Sequence, residues 1–95
     1  MTKIMIKVTR TLKGNVVRSF VLINDRVLPF DKNDEVNVYI LSGVEYGITV
    51  YCHGDTGGSI EVGVVRSGGK VIEPLKILLD QDGDVEHASD RFTVA

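Results

Sequence analysis

Oxygen-bearing side chains concentrate in two short segments of this 95-residue chain, 31–35 and 80–86. Calcium prefers about six to eight oxygen ligands, which carboxylates on loops at one end of a domain can supply together. A calcium site is therefore one alternative for these segments. Aspartates also form ordinary turns, which is the preferred interpretation of both. The predicted metal ligands are Asp31, Asp34, Asp80, Asp82 and Asp84.

The segment 54–59 reads Gly-Asp-Thr-Gly-Gly-Ser. Within it, Asp55-Thr56-Gly57 resembles the Asp-Thr-Gly element of aspartic proteases, whose retroviral members are homodimers of similar size. In that family each copy contributes one carboxylate to a dyad that shares a proton. The resemblance implies a dimeric aspartic protease centred on Asp55. The alternative is a glycine-rich hairpin loop, which the same residues favour.

Sulfur and nitrogen ligands are few: one cysteine and two histidines. Adjacent residues of a strand point to opposite faces, so Cys52 and His53 are not expected to share a zinc site or a catalytic pair. Cys52 continues the apolar alternation of Ile48 and Val50, which predicts a buried core thiol. His53 and His87 are predicted to be solvated residues at strand ends.

Three tyrosines and no tryptophan are available as platforms for a sugar ring. Carbohydrate binding through Tyr39 or Tyr51 is therefore an alternative to calcium binding. Tyr46 is interpreted differently, because it stands early in its apolar run, shortly after Ser42-Gly43. It is predicted to be a corner residue whose hydroxyl bonds to the backbone.

The elements that must position these residues are strands, because short apolar-alternating runs recur along the whole chain and end at Gly, Asn or Asp. Such turn residues join antiparallel neighbours. A helix beginning at Glu73-Pro74 is the alternative for one run, for which a strand with Pro74 at an edge or a bulge is preferred. The last strand is either continuous or broken near Ala88. The predicted strands are 3–10, 16–23, 36–41, 46–53, 60–66, 71–79 and 85–94.

The fold class that these strands predict is all-β: one antiparallel β-sandwich of seven to eight strands, immunoglobulin-like, covering residues 1–95 as a single domain. One alternative rests on Ile48-Thr49-Val50-Tyr51 followed by Gly58. That aromatic-to-glycine spacing resembles βγ-crystallin domains, which implies a sandwich of two Greek-key motifs.

Several strands are apolar on both faces, although a sandwich buries only one face of each sheet. The residues assigned to the outer face predict self-association, because exposed apolar patches usually mark interaction sites. The alternative is that the loop 27–30 covers this face. The predicted interface residues are Val17, Val21, Ile23, Tyr39 and Leu41.

Composition narrows the classes of function. A net charge of −2 provides no field that would attract nucleic acid, and no run of residues approaches membrane-spanning length. A single cysteine favours a reducing, cytoplasmic compartment, although a mature secreted fragment would look the same. The sequence therefore predicts a non-enzymatic binding or structural module that forms homo-oligomers and has no cofactor, with a calcium- or carbohydrate-binding domain as the alternative.

Overall fold

A computed structural model describes residues 2–95. These residues form nine strands and no helix. The seven predicted strands are all present, with ends that differ by at most three residues except in the run 71–79. The strands are β1 (Lys3–Lys13), β2 (Val16–Ile23), β3 (Arg26–Val27), β4 (Glu35–Leu41), β5 (Glu45–Gly54), β6 (Ser59–Arg66), β7 (Gly69–Lys70), β8 (Leu75–Leu78) and β9 (Asp84–Thr93).

The strands form two antiparallel sheets that pack face to face, which confirms the all-β sandwich. The first sheet has five strands in the order β4-β1-β6-β7, with β8 also paired to β6. The second sheet has four strands in the order β3-β2-β5-β9. The immunoglobulin-like strand order is not confirmed: β1 lies between β4 and β6, whereas the first strand of an immunoglobulin domain lies at a sheet edge.

The core lies between the sheets and is built from alternate residues of β1, β2, β5 and β6. The only cysteine is part of it, as predicted, since Cys52 is fully buried. The most deeply buried side chains are those of Ile6, Ile48, Ile60, Leu79, Val8, Val21, Val50, Val62, Val64 and Cys52.

Strand β2 contains a β-bulge that reverses its predicted faces. Its pairing with β5 shifts by one residue between Val16 and Arg18, which leaves Val17 without a partner. A shift of one residue exchanges the two faces of the strand beyond it. Val21 and Ile23 are consequently core residues, 1% and 6% exposed. The prediction that they face outward is wrong, whereas Val17 is 67% exposed.

The run 71–79 is a strand only in its second half. Strand β8 begins at Leu75, directly after Pro74, and lies at an edge of the first sheet. Proline lacks the N–H that a ladder requires, so a strand that starts after it is the expected outcome. The preceding segment instead contributes Ile72 to the core, and the Val71 N–H donates to the Val64 carbonyl oxygen at 2.8 Å.

The two strands that the sequence did not predict, β3 and β7, have two residues each, too short for any alternation. Strand β3 exists because a tight turn returns the chain after β2. Asn24 and Asp25 both have positive φ angles, 48° and 66°, which is the conformation of a type I′ hairpin turn. The last strand, β9, is continuous across Ala88.

The corner role predicted for Tyr46 is confirmed. Its hydroxyl oxygen accepts a hydrogen bond from the Leu41 N–H at 2.9 Å, which joins the start of β5 to the end of β4. The ring stacks on Phe92, with 5.7 Å between the ring centroids. Tyr46 therefore links the two sheets and packs against the edge of the core.

Candidate binding face

A row of aromatic side chains crosses the outer face of the second sheet. The register of the sheet places Phe20 of β2 opposite Tyr51 of β5, and Tyr51 opposite His87 of β9. Residues directly opposite each other in adjacent strands point to the same face. The Tyr51 and His87 rings lie 5.8 Å apart between centroids, and Phe20 and Tyr51 are each 42% exposed.

The rows on either side extend this surface. On one side Leu22, Thr49 and Ser89 are aligned across β2, β5 and β9, and on the other side His53 pairs with Val85. Strand β3 adds Val27 opposite Leu22. We call this surface the aromatic face. Its members are Phe20, Leu22, Val27, Thr49, Tyr51, His53, Val85, His87 and Ser89.

Formal charges lie only at the ends of the aromatic face. Arg18 pairs with His53 at one end. At the other end Arg91 and Glu45 approach to 3.8 Å and remain largely exposed. The centre, which consists of Phe20, Tyr51 and their neighbours, carries no carboxylate, lysine or arginine.

The outer face of the first sheet is different, because lysines and glutamates cross it. Lys7 pairs with Glu35 at 3.3 Å, and Lys76 pairs with Glu61 at 3.6 Å. Its largest exposed aromatic residue, Tyr39, lies 5.8 Å below the Lys3 ammonium group. Charged residues are depleted from the centres of protein interfaces. Of the two outer faces, the aromatic face is therefore the one whose centre has the composition of an interface core, although the first sheet also exposes Met5, Tyr39 and Leu78.

The five predicted interface residues do not share a surface. Val21 and Ile23 are buried, as described above. Tyr39 and Leu41 are 67% and 38% exposed, but they belong to β4 of the first sheet, whereas Val17 belongs to β2 of the second. The prediction of a single sheet face containing all five residues is therefore wrong, because it assumed that β2 and β4 lie in the same sheet.

The loop 27–30 does not cover the aromatic face. Leu28 and Phe30 are partly buried and pack against the core. The guanidinium group of Arg10 lies 4.4 Å from the centroid of the Phe30 ring, which holds the ring in place from β1. Leu28 and Phe30 thus pack at the edge of the core, and the loop leaves the centre of the aromatic face exposed.

The first acidic segment forms a turn. One carboxylate oxygen of Asp31 accepts hydrogen bonds from the Asn33 and Glu35 N–H groups, at 2.8 and 3.1 Å. Asp34 has a positive φ of 59° and pairs with Arg10 at 3.0 Å. These contacts match the turn-forming alternative for Asp31 and Asp34.

The second acidic segment joins two loops through reciprocal hydrogen bonds. The Asp82 carboxylate accepts from the Thr56 N–H at 3.1 Å, and the Asp55 carboxylate accepts from the Gly83 N–H at 2.9 Å. Bonds from the backbone N–H and the side chain of Thr56 lower the pKa of Asp82. Because this pKa lies below its ordinary value, the bonds stabilise the fold above the ordinary pKa, and that contribution is lost as the pH falls through the lowered value.

The five predicted calcium ligands do not form a cluster in the structure. Among residues 2–95, no group of three or more His, Cys, Asp or Glu side chains is arranged to hold a metal ion. Asp80 and Asp84 are neighbours of Glu86, and their charges raise its pKa, with Asp84 as the larger cause. The structure therefore does not bring the five predicted ligands together in a metal site.

Asp55 has a structural contact within its own chain, which bears on the protease alternative. We expect Asp55→Ala to lower the free energy of unfolding by about 1 kcal/mol, because the Gly83 N–H loses its acceptor. Urea unfolding monitored by circular dichroism measures this change. In a carboxylate dyad, by contrast, removing one carboxylate relieves repulsion between like charges.

Asp90→Ala is the control for this substitution, because within residues 2–95 the Asp90 carboxylate accepts only from the neighbouring Arg91 N–H. It should change stability by less than about 0.5 kcal/mol. An Asp55→Ala protein as stable as the wild type would contradict the role assigned to Asp55.

The remaining chemistry-bearing residues are dispersed. Burial raises the pKa of the Cys52 thiol, and its side chain points away from His53. His53 lies near the end of β5, as predicted, but His87 lies inside β9 beside Tyr51. The three tyrosines do not share one surface: Tyr39 and the partly buried Tyr46 line one depression with Leu28 and Ile40, whereas Tyr51 lies on the outer face of the second sheet.

Phe20, Leu22 and His87 were not predicted from the sequence to share one surface. The buried alternation of Ile48, Val50 and Cys52 already implied that Tyr51 points outward. The register between β2 and β5 could not be predicted, since the bulge at Val17 has no signature in the residue types.

No known protein family, curated protein or solved structure matches this chain. Residues 2–95 include no helix that is long and apolar enough to cross a membrane.

Proposed function

We propose that this protein is a non-catalytic β-sandwich module that self-associates through the aromatic face. The observation that carries the proposal is the cross-strand row of Phe20, Tyr51 and His87, which is exposed and free of formal charge at its centre. Aromatic residues are enriched in protein interfaces and charged residues are depleted from their cores. Contiguous exposed apolar surface usually marks an interaction site.

The size of the face indicates a weak complex. The four strands of the second sheet have between two and ten residues and lie about 4.8 Å apart, so together they span about 500 Å². Two copies would bury about 1,000 Å² in total, which is near the lower limit for specific protein interfaces. We therefore expect a reversible dimer that dissociates on dilution, rather than an obligate dimer whose subunits cannot fold alone.

Sedimentation equilibrium over a range of protein concentrations tests this function. At high micromolar concentration the wild type is expected to sediment with twice the mass of one chain. Tyr51→Lys should raise the dissociation constant about tenfold or more, because it places a charge at the centre of the contact. The chain should remain folded, since Tyr51 points away from the core.

The matched control is Tyr39→Lys, which places the same charge on an exposed tyrosine of the opposite outer face. It should dimerise as the wild type does. A wild type that stays monomeric at high micromolar concentration would contradict self-association. A dimer disrupted by Tyr39→Lys but not by Tyr51→Lys would assign the contact to the other sheet.

A further inference from the structure

The aromatic face carries a projection and a depression, which lie at equal distances on either side of Thr49 in β5. The projection is the half-exposed ring of Tyr51, two residues after Thr49. The depression is at Gly47, two residues before Thr49, where a Cβ atom would meet only the Asn24 side-chain oxygen, at 3.9 Å. The residues that line it on the surface of the second sheet are Gly47, Thr49, Ser89 and Arg91, together with Ile48 and Asp90.

The charged side chains at the two ends of the aromatic face are also arranged about Thr49. Glu45 lies four residues before Thr49 on the outward-facing side of β5, and His53 lies four residues after it. Arg18 stands opposite His53 in β2, so the end of the face after Thr49 is basic. The other end carries both signs of charge: the Glu45 carboxylate is 64% exposed, and the Arg91 guanidinium group, 80% exposed, lies 3.8 Å from it. Because Arg91 stands opposite Gly47 in β9, Glu45 is the carboxylate that a basic group of a second copy can reach at this end.

We propose that a second copy of this chain docks on the aromatic face about a two-fold axis that passes over Thr49, with the β5 strands antiparallel. In this arrangement the Tyr51 ring of each copy enters the Gly47 depression of the other. Each His53 lies above the Glu45 end of the opposite copy. This inference rests on the proposed function and specifies the partner and the register of the contact.

The opposite arrangement, with the axis along the strands, is disfavoured by the same residues. It would place Tyr51 over Tyr51 and Glu45 over Glu45, so projections and like charges would coincide. The antiparallel arrangement places a ring over a position that has no side chain. Facing sheets pack about 10 Å apart, a spacing that side chains from the two faces fill together.

The angle between two packed sheets still allows Tyr51 of one copy to lie over Gly47 of the other, and His53 over Glu45. Aligned sheets cross at about 30°, and the resulting displacement grows with distance from the axis. Tyr51 and Gly47 are each about 7 Å from Thr49 along the strand, so they are displaced least. His53 and Glu45 are about twice as far away, and both have side chains long enough to follow the displacement.

Exchanging the projection and the depression between positions 51 and 47 tests the register of the two β5 strands. Tyr51→Ala removes the projection, and Gly47→Tyr fills the depression from a position where the added Cβ atom meets no atom of the fold closer than 3.9 Å. Each single variant is expected to raise the dissociation constant about tenfold or more by sedimentation equilibrium. The double variant Tyr51→Ala/Gly47→Tyr moves the projection to position 47 and the depression to position 51, so it should dimerise within about threefold of the wild type.

Crosslinking provides a second measurement that does not depend on these variants. Thr49→Cys places a thiol beside the proposed axis in both copies, and the native Cys52 is fully buried. A short bismaleimide should convert Thr49→Cys to a covalent dimer at protein concentrations where Tyr39→Cys remains monomeric.

The outcomes separate the register from the proposed function. A dimer that Tyr51→Ala disrupts but Gly47→Tyr leaves intact would overturn the register and retain the face. A folded double variant that stays monomeric while the wild type dimerises, or a Thr49→Cys protein that crosslinks no faster than Tyr39→Cys, would also overturn it. A monomeric wild type would instead overturn self-association itself.

Discussion

The substitution Val21→Lys is expected to unfold the protein. Val21 is 1% exposed and lies between the two sheets, at a position where an ammonium group would have neither water nor a carboxylate. An uncompensated buried charge costs about 3 to 5 kcal/mol, which is a large part of the stability of an ordinary domain. We expect the near-ultraviolet circular dichroism signal and the cooperative thermal transition to be lost or strongly reduced at 25 °C.

Val17→Lys is the matched control, because it makes the same change four residues earlier in the same strand. Val17 has no partner in the bulge and is 67% exposed, so the stability should change by less than about 0.5 kcal/mol. A Val21→Lys protein that unfolds at the wild-type denaturant concentration would show that β2 presents its other face to the core.

These two valines also show how far the sequence determines the fold. Alternation along β2 predicted the correct bounds for the strand, since Val16 and Ile23 are its ends in the prediction and in the structure. It could not give the faces, because one unpaired residue inverts them and both faces of this strand are apolar. The bulge depends on how β2 pairs with β5, which is a long-range property.

Strand β5 was predicted more completely, because its two faces differ in chemistry. Ile48, Val50 and Cys52 are apolar and buried, while Thr49 and Tyr51 alternate with them and point outward. The aromatic face required one further fact, that β2 and β9 flank β5. Residues in adjacent strands of a sheet can be far apart in sequence, so the meeting of Phe20 and His87 across Tyr51 is visible only in the structure.

The turn at the start of β2 depends on a glycine in β5, and its replacement is expected to have the second large effect. A Cβ atom at Gly54 would overlap the Asn15 carbonyl oxygen and lie 3.0 Å from the Val16 Cα atom. That carbonyl oxygen already accepts a hydrogen bond from the Asp55 N–H at 2.9 Å, so it cannot withdraw without breaking the bond. Both clashing groups are backbone, and no side-chain rotation relieves them.

Gly54→Ala should therefore lower the free energy of unfolding by about 3 kcal/mol, equivalent to a fall in melting temperature of about 12 °C or more for a domain of this size. Gly47→Ala, in the same strand, is the control: its Cβ atom meets nothing closer than 3.9 Å, so the melting temperature should stay within about 3 °C of the wild type. Equal melting temperatures for the two variants would contradict the close approach of β2 to β5. A fall confined to Gly54→Ala would locate the constraint at the first residues of β2, from which the bulge turns Phe20 and Leu22 toward the aromatic face.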